Sequence, residues 1–341
     1  MGFFGGKKHG ADLYVDLGTA NTLVVSRSKG IVVNEPSVIA YYEDSEGHKR
    51  IVAVGEEAKL KIGKTPGNLV AGHPLRDGVI AELDIAEQML RYFIERAQTW
   101  RLKKPRVVVS LPYGVTDIEK KAVRDAGLAA GAAEVLLIDE PMAAAMGADL
   151  PVHQPQGNMV IDIGGGTTEI ALISLYGIVH CEAVRVGGHK FDRAIVQYIR
   201  RHYNLIVGDQ SAERLKITLG SALPGGMGGK SQIRGVDFVS GLPRSIEITS
   251  AEVSEALESD LNIIFEAARR TLEQAPPDLV PDIIKHGVVV AGGGALLHGM
   301  EERLMSELNV PVRIATDPLL TIALGGQRAI QDADLLERIT L

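Results

Sequence analysis

Tyr14-Val15-Asp16-Leu17-Gly18-Thr19-Ala20-Asn21-Thr22 returns about half a chain later as Val160-Ile161-Asp162-Ile163-Gly164-Gly165-Gly166-Thr167-Thr168. Each copy reads as an apolar strand, a carboxylate near its end, a bend built on glycine, and a second strand that opens on hydroxyls. Two copies predict a duplicated α/β fold with two like lobes, each offering its first hairpin to a shared cleft. Only two copies exist, so the repeat does not describe a solenoid.

The rest of the chain continues the alternation. Strands are expected at Leu13 to Asp16, Leu23 to Ser26, Arg106 to Leu111, Val135 to Ile138, Met159 to Ile163, Ile170 to Leu175, Ile178 to Val186 and Gly287 to Ala291. Helices announce themselves by caps: Asp84 with Glu87, Thr116 with Glu119, and Thr249 with Glu252 each place an acceptor three residues before a carboxylate. Apolar residues then recur at helical spacing, as in Ile85, Met89, Phe93 and Ala97, or Phe191, Ile195, Ile199 and Tyr203. This pattern means sheets covered by helices. The stretch Leu223-Pro224-Gly225-Gly226-Met227-Gly228-Gly229-Lys230 reads as a mobile surface loop, since Lys230 lacks the Walker frame of a phosphate loop.

The 341 residues suit two domains or one large bilobed one, and 45% hydrophobic with 23% charged residues is an ordinary globular balance. A formal net charge of −7 argues against nucleic acid as a partner, because phosphate neutralisation needs a basic face. The single cysteine, Cys181, cannot form an intrachain bridge and points to a reducing cytosol. No run approaches the roughly eighteen apolar residues of a spanning helix, so the chain is expected to be soluble. Phe3 and Phe4 beside Lys7 and Lys8, and Trp100 and Leu102 beside Lys103 and Lys104, are small apolar-basic patches. The first reads more simply as a frayed terminus; the second suits a membrane or partner contact as well as partial burial at a helix end.

Phosphate chemistry is the reading best supported by the hairpins. A glycine turn lets successive backbone N–H groups approach phosphate oxygens, and Thr19, Asn21, Thr22, Thr167 and Thr168 add side-chain donors. Asp16 and Asp162 end their strands, and two carboxylates near a polyphosphate suit Mg²⁺, which keeps most of its waters. One hairpin alone would be an ordinary β-turn with a polar cap; two in register with a duplication favour the phosphate reading. Val288-Val289-Val290-Ala291-Gly292-Gly293-Gly294-Ala295 fits equally a nucleotide lying on bare backbone and tight strand-to-helix packing. Glu140, followed by Pro141, stands where a strand meets a helix. It would suit a residue that orients or deprotonates a water attacking a γ-phosphate, together with Thr167, although spacing alone prefers a simple helix cap. The nine histidines show no zinc spacing, and no Gly-x-Ser-x-Gly elbow is present.

Taken in order, Asp16 to Thr22, Glu140-Pro141-Met142-Ala143-Ala144-Ala145, Asp162 to Glu169 and Ala291-Gly292-Gly293-Gly294 resemble the phosphate-1, connecting, phosphate-2 and adenosine motifs of the actin-like ATPases. Within that superfamily the chain is similar to the MreB family of bacterial actin homologues. The likeness covers nearly the whole chain and extends to Asn34-Glu35-Pro36-Ser37-Val38, His73 to Ile80 and Ser240-Gly241-Leu242-Pro243-Arg244.

The resemblance implies an actin-like (RNase H-like) duplicated fold, two lobes of two subdomains each around a nucleotide cleft. The subdomains would be 1–32, 75–145 and 316–341 (IA), 33–74 (IB), 146–179 and 247–315 (IIA), and 180–246 (IIB). It implies ATP and Mg²⁺ as cofactors, with Asp16 and Asp162 about the metal through water, and Glu140 with Thr167 positioning the hydrolytic water. Nucleotide contacts would come from Gly18, Thr19, Ala20, Asn21, Thr22, Gly164, Gly165, Gly166, Thr167, Thr168, Gly292, Gly293, Gly294 and Ala295, with Glu213 and Lys216 on the ribose and adenine side. It further implies an ATPase that assembles with itself into paired protofilaments, in the cytoplasm, peripheral to the inner membrane. Cell-shape and wall-synthesis proteins would be its partners. Asp192 falls on the helix that meets its counterpart across such pairs, Trp100 and Leu102 near a membrane-inserting loop, and the N-terminal Phe pair near an amphipathic segment. Gly208-Asp209-Gln210-Ser211-Ala212-Glu213 departs from the family's usual Gly-Glu-Arg-Thr-Ala-Glu, which suits altered nucleotide selectivity or a specialised paralogue. The alternative is a small-molecule kinase of the same superfamily.

Overall fold

The computed structural model describes residues 12–65, 67–76, 79–80, 82–97 and 104–341. Phe3, Phe4, Trp100 and Leu102, the proposed membrane contacts, lie outside them. The chain divides into two compact units, Met1–Pro151 with Leu320–Leu341, and Val152–Leu319.

The first unit is built on a five-stranded sheet in the order Glu134–Asp139, Arg106–Leu111, Leu13–Leu17, Asn21–Ser26, Gly30–Pro36. The first three of these strands run parallel, and the last two continue from Leu13–Leu17 as an antiparallel meander. Strand Leu13–Leu17 is buried along its whole length, which is why it reads as an apolar run broken only by Asp16. Val15, Val24, Val109 and Leu137 join Met89 and Phe93 of helix Leu83–Ala97 in the core. Helix Asp117–Ala129 starts with a complete Thr116/Glu119 capping box. A small sheet of Lys49–Val54, Ile39–Glu43 and Leu69–Gly72 has its own core of Val38, Ala40, Ala53 and Ala58. Helix Thr321–Gln331 returns the chain's end to this unit by crossing Glu140–Gly147. A Cβ on Gly147 would lie 1.8 Å from Thr321 O, and one on Gly325 1.8 Å from Ala143 O, so the two backbones touch.

The second unit repeats the plan. Its sheet runs Gly177–Val184, Thr168–Ser174, Asn158–Ile163, Val288–Ala291, Val312–Ile314, again an antiparallel meander followed by two parallel strands. The registers coincide: Asp16 stands opposite Leu23 and Leu17 opposite Thr22, as Asp162 stands opposite Glu169 and Ile163 opposite Thr168. Phe191, Ile195 and Ile199 of helix Gly188–Tyr203 pack with Ile161, Leu172 and Leu261 in one core. Helix Ser250–Glu273 opens on a complete Thr249/Glu252 box. A sheet of Leu205–Ile206, Lys230–Asp237 and Pro243–Thr249 completes the unit.

Five local expectations need correction. Asp84 is not an N-cap but lies inside the first turn of a helix beginning at Leu83. The strand expected to reach Leu175 ends at Ser174, because Leu175 and Tyr176 take positive φ (50° and 63°) and turn the chain. The strand expected to reach Val186 ends at Val184, and the one expected from Gly287 begins at Val288. The glycine-rich stretch 223–230 is tied down rather than a free linker: the Ser254 hydroxyl donates to Leu223 O (2.7 Å), the Met227 N–H donates to Ser250 Oγ (2.9 Å), and Lys230 already begins a strand.

Candidate functional site

In each unit the candidate residues gather at the carboxyl ends of the parallel strands, the edge at which open α/β sheets bind ligands. In the first unit Asp16, Ser110 and Ile138 share one register across three strands, so Asp16 and the Asp139–Glu140 strand-to-helix junction lie on the same edge. Asp16 and Glu140 are both buried. Asp139 precedes the helix without a side-chain cap bond, and burial pushes its carboxyl up to about 6 against the opposing pull of Lys120.

Backbone geometry decides what the first turn offers. A Cβ on Gly18 would stand 2.7 Å from Asn21 O, so the bend closes only around glycine. Buried Ser37 grips the turn from below: its Oγ donates to Gly18 O (2.5 Å) and its N–H to Ala20 O (2.9 Å). His73 Nδ1 donates to the intervening Thr19 O at 3.1 Å. In a trans peptide the N–H points opposite to the C=O. Fixing the carbonyls of Gly18 and Thr19 therefore aims the N–H groups of Thr19 and Ala20 away from Ser37 and His73.

The second unit uses the same logic with a different clamp. Gly188 N–H donates to Gly164 O (3.0 Å) and His189 N–H to Gly165 O (2.8 Å), so the start of a helix seats on the glycine turn. The seat is bare backbone, since a Cβ on Gly187 would lie 2.6 Å from Gly164 O. With those carbonyls held by the helix, the N–H groups of Gly165 and Gly166 face the other way, as successive donors of an anion nest. Asp162 lies one residue from the strand's end and is buried; its Oδ1 has no hydrogen-bond partner among the described residues, and burial pushes its carboxyl up to about 7. A buried oxygen without a donor is what a cation or its water shell would satisfy.

Beside it, Ala291-Gly292-Gly293-Gly294 runs from the parallel strand into a short 3₁₀ turn, Gly293–Leu296. Gly292 and Gly294 are explained by packing: added Cβ atoms would meet Asp162 Oδ1 at 2.6 Å and Ile163 Cγ2 at 2.2 Å. Gly293 is exposed and meets only Leu319 Cδ2, at 3.2 Å. Ala295 is buried beneath the turn.

The remaining expected residues divide by what already holds them. Thr22 and Thr168 are fully buried; Thr22 shares a hydrogen bond with Ser37 Oγ (2.8 Å), and Thr168 donates to Val186 O (2.8 Å). Their hydroxyls brace the hairpins, whereas Asn21 is exposed and Thr167 half-buried at the turns. Glu213 and Lys216 lie on helix Asp209–Leu219, where Lys216 Nζ pairs with Asp192 Oδ1 (2.8 Å) and donates to Gly188 O (3.0 Å). Asp192, placed by resemblance on a surface-pairing helix, is itself buried within that ion pair. Burial pushes its carboxyl up, and Lys216 opposes the shift. Ser37, His73 and Gly187 had no role assigned from sequence. Ser37 and His73 do lie in two of the quoted motifs, which was the available signal.

Among the described residues no group of three or more His, Cys, Asp or Glu side chains is arranged to hold a metal directly, and no helix is long and apolar enough to cross a membrane.

The family model for MreB/Mbl protein matches residues 10–338. The chain is 47% identical over 327 residues to the cell shape-determining protein MreB of Escherichia coli K12, covering 95% of this chain and 94% of that one. It is 45% identical over 328 residues to the cell shape-determining protein Mbl of Bacillus subtilis 168, covering 96% and 98%. Among solved structures it is similar to MreB5 of Spiroplasma citri bound to ADP, with a TM-score of 0.89, 36% identity and coverage of 94% and 96%. The same protein bound to AMPPNP matches with a TM-score of 0.87.

Proposed function

This chain belongs to the MreB/Mbl family, and on that premise we propose that it is an actin-like ATPase that binds ATP with Mg²⁺ and polymerises into filaments organising cell shape. Its fold is the actin-like α/β fold. The observation that carries the reading is the repeated hairpin: two units present the same strand register, each with an aspartate at the carboxyl edge and a glycine turn whose carbonyls are held from behind. A turn so held presents N–H groups to an anion without reorganising, which is how preorganised amides bind phosphate.

In this proposal the turn of each hairpin binds phosphate. The amides of Thr19, Ala20, Gly165 and Gly166, with the side chains of Asn21 and Thr167, take the phosphates. Glu213 and Lys216 face the ribose and adenine, and exposed Gly293 supplies bare backbone against the nucleoside. Asp16 and Asp162 would hold the waters of Mg²⁺, whose charge, when bound, would offset that of the phosphates. The unpartnered Oδ1 of Asp162 fits this role. Glu140 accepts a proton from the attacking water while Thr167 orients it, so the carboxylate acts as a general base in a dry setting. The S. citri MreB5 structures with AMPPNP and ADP support the nucleotide class. The same proposal includes filaments associated with the inner membrane and wall-synthesis partners, a reading that the family membership supports.

Sedimentation of the purified protein tests this reading. ATP with Mg²⁺ should drive it into pelletable filaments, visible by electron microscopy on anionic vesicles, with no dependence on added sugar or acid. ADP release that requires a small hydroxylated substrate, with no polymer at any salt or lipid condition, would instead identify a kinase.

A further inference from the structure

Lys216 is linked to the glycine turn of the second unit through one intervening peptide. Its Nζ donates to Gly188 O at 3.0 Å. That carbonyl and the His189 N–H belong to one planar peptide unit, and the N–H in turn donates to Gly165 O at 2.8 Å. On its other side the ammonium pairs with Asp192 at 2.8 Å, with side-chain exposures of 17% for Lys216 and 10% for Asp192. An ion pair from carboxylate to ammonium, a hydrogen bond from ammonium to peptide and a hydrogen bond from peptide to turn carbonyl thus form one connected series in which each member polarises the next. At its end the Gly165 carbonyl is fixed, so the Gly166 N–H of the same peptide plane is fixed in the opposite direction.

A lysine ammonium on a four-carbon stem does not hold such a position unaided, because it is strongly hydrated and has many rotamers. The Asp192 carboxylate, set one helical turn beyond Gly188 on the helix that seats on the turn, supplies the restraint. The ammonium thus spends a donor on Gly188 O and sets its charge against Asp192.

We propose that Asp192 is a positioning residue for phosphate binding: by holding Lys216 on Gly188 O, it fixes the direction of the Gly166 amide toward a phosphate oxygen. The proposal rests on the reading of this turn as a phosphate site. It predicts a loss that is larger for a phosphate-bearing ligand than for the nucleoside alone, and transmitted only through Lys216.

The experiment is a double-mutant cycle on the full chain with Mg²⁺, titrating ADP and adenosine separately into wild type, Asp192→Asn, Lys216→Met and the pair together, each first checked by thermal melting. Asp192→Asn should weaken ADP roughly tenfold more than it weakens adenosine, the size of one charge-assisted interaction. In the Lys216→Met background the same substitution should change nothing. Full ADP affinity in Asp192→Asn, an equal loss for adenosine, or the same fold-loss in the Lys216→Met background would overturn it. Should Asp192→Asn alone not fold, the comparison of Lys216→Met with the pair carries the decision, because the pair leaves no unpaired charge. A wild type that binds no ADP would overturn the phosphate-site reading itself, a separate result.

Discussion

The Asp162 carboxylate lies against Gly292: a Cβ added at position 292 would stand 2.6 Å from Oδ1 and 2.4 Å from Ile163 O, at a φ of +80°. Gly292→Ala is therefore strained in backbone and crowded in space. It should cost about 2 kcal/mol or more in urea unfolding and displace the carboxylate at the same time. Gly293→Ala separates the two effects, since its φ is not positive and its nearest neighbour is the end of the Leu319 side chain at 3.2 Å. It should leave stability within about 0.5 kcal/mol while weakening nucleotide binding. If Gly293→Ala bound ADP as wild type does, Gly293 would have no part in the nucleoside site.

The elevated carboxyl of Asp162 has a pH signature. With its proton held up to about 7 in the fold against an ordinary 3.8, the folded chain binds more protons than the unfolded one across that window. Stability without ligand must then fall as pH rises from about 4 to about 7, by at most about 1.4 kcal/mol per pH unit for each such group. Asp139, raised to about 6, adds a slope of the same sign that ends sooner. Thermal melts between pH 5 and 8 in a chelating buffer should show the decline, and Asp162→Asn should flatten it. A cation ligand reverses the preference, so Mg²⁺-nucleotide affinity should increase with pH through the same range, with proton release detectable by calorimetry in buffers of different ionisation enthalpy.

The parts of this structure readable from sequence were those whose cause is local. Both hairpins were legible because the Asp-Gly pattern recurs with the same neighbours, and the Thr116 and Thr249 boxes because a capping box lies within four residues. Asp84 satisfied the same pattern and failed, since the helix begins one residue earlier, at Leu83. Lys49–Val54 and Pro243–Thr249 escaped notice because each opens on a polar, solvent-facing half, so that only Ile51 to Val54 in the one and Ile246 with Ile248 in the other mark a strand, a run too short to tell from a loop. The clamps behind the turns were illegible for another reason: Ser37 is 19 residues from Gly18, and His189 is 24 residues beyond Gly165. Sequence spacing carries no record of a contact that only the folded sheet makes.

Glu140 and Asp162 should fail differently. Removing a general base slows the chemical step by roughly 10² to 10⁴ without weakening ground-state binding. Glu140→Ala should therefore hydrolyse ATP at least about a hundredfold more slowly while its Kd for ATP stays within a few-fold. Asp162→Ala should raise the Kd of ATP in Mg²⁺ and leave the Kd measured in a chelating buffer nearly unchanged, since the lost partner is the hydrated cation. Equal single-turnover rates for wild type and Glu140→Ala would remove Glu140 from the mechanism.

Ser37 offers the sharpest test of how the first turn is held. Its hydroxyl is buried, donates to Gly18 O and shares a hydrogen bond with Thr22 Oγ1. Ser37→Ala removes a donor from a buried carbonyl and a partner from a buried hydroxyl, a loss of about 1 to 3 kcal/mol of stability. The backbone bond from Ser37 N to Ala20 O survives the substitution, so the turn loosens at one end rather than dissolving. Thr19 N–H, opposite the released Gly18 carbonyl, is the amide that loses its aim. The variant should fold, melt lower, and bind both ADP and ATP more weakly. Ser37→Thr tests the same site from the other direction, since it keeps the hydroxyl but adds a methyl group in a fully buried position; it should retain nucleotide affinity to the extent that it melts like wild type. A Ser37→Ala protein with lowered stability but undiminished ADP affinity would mean that the turn's amides are aimed by the glycine bend and His73 alone.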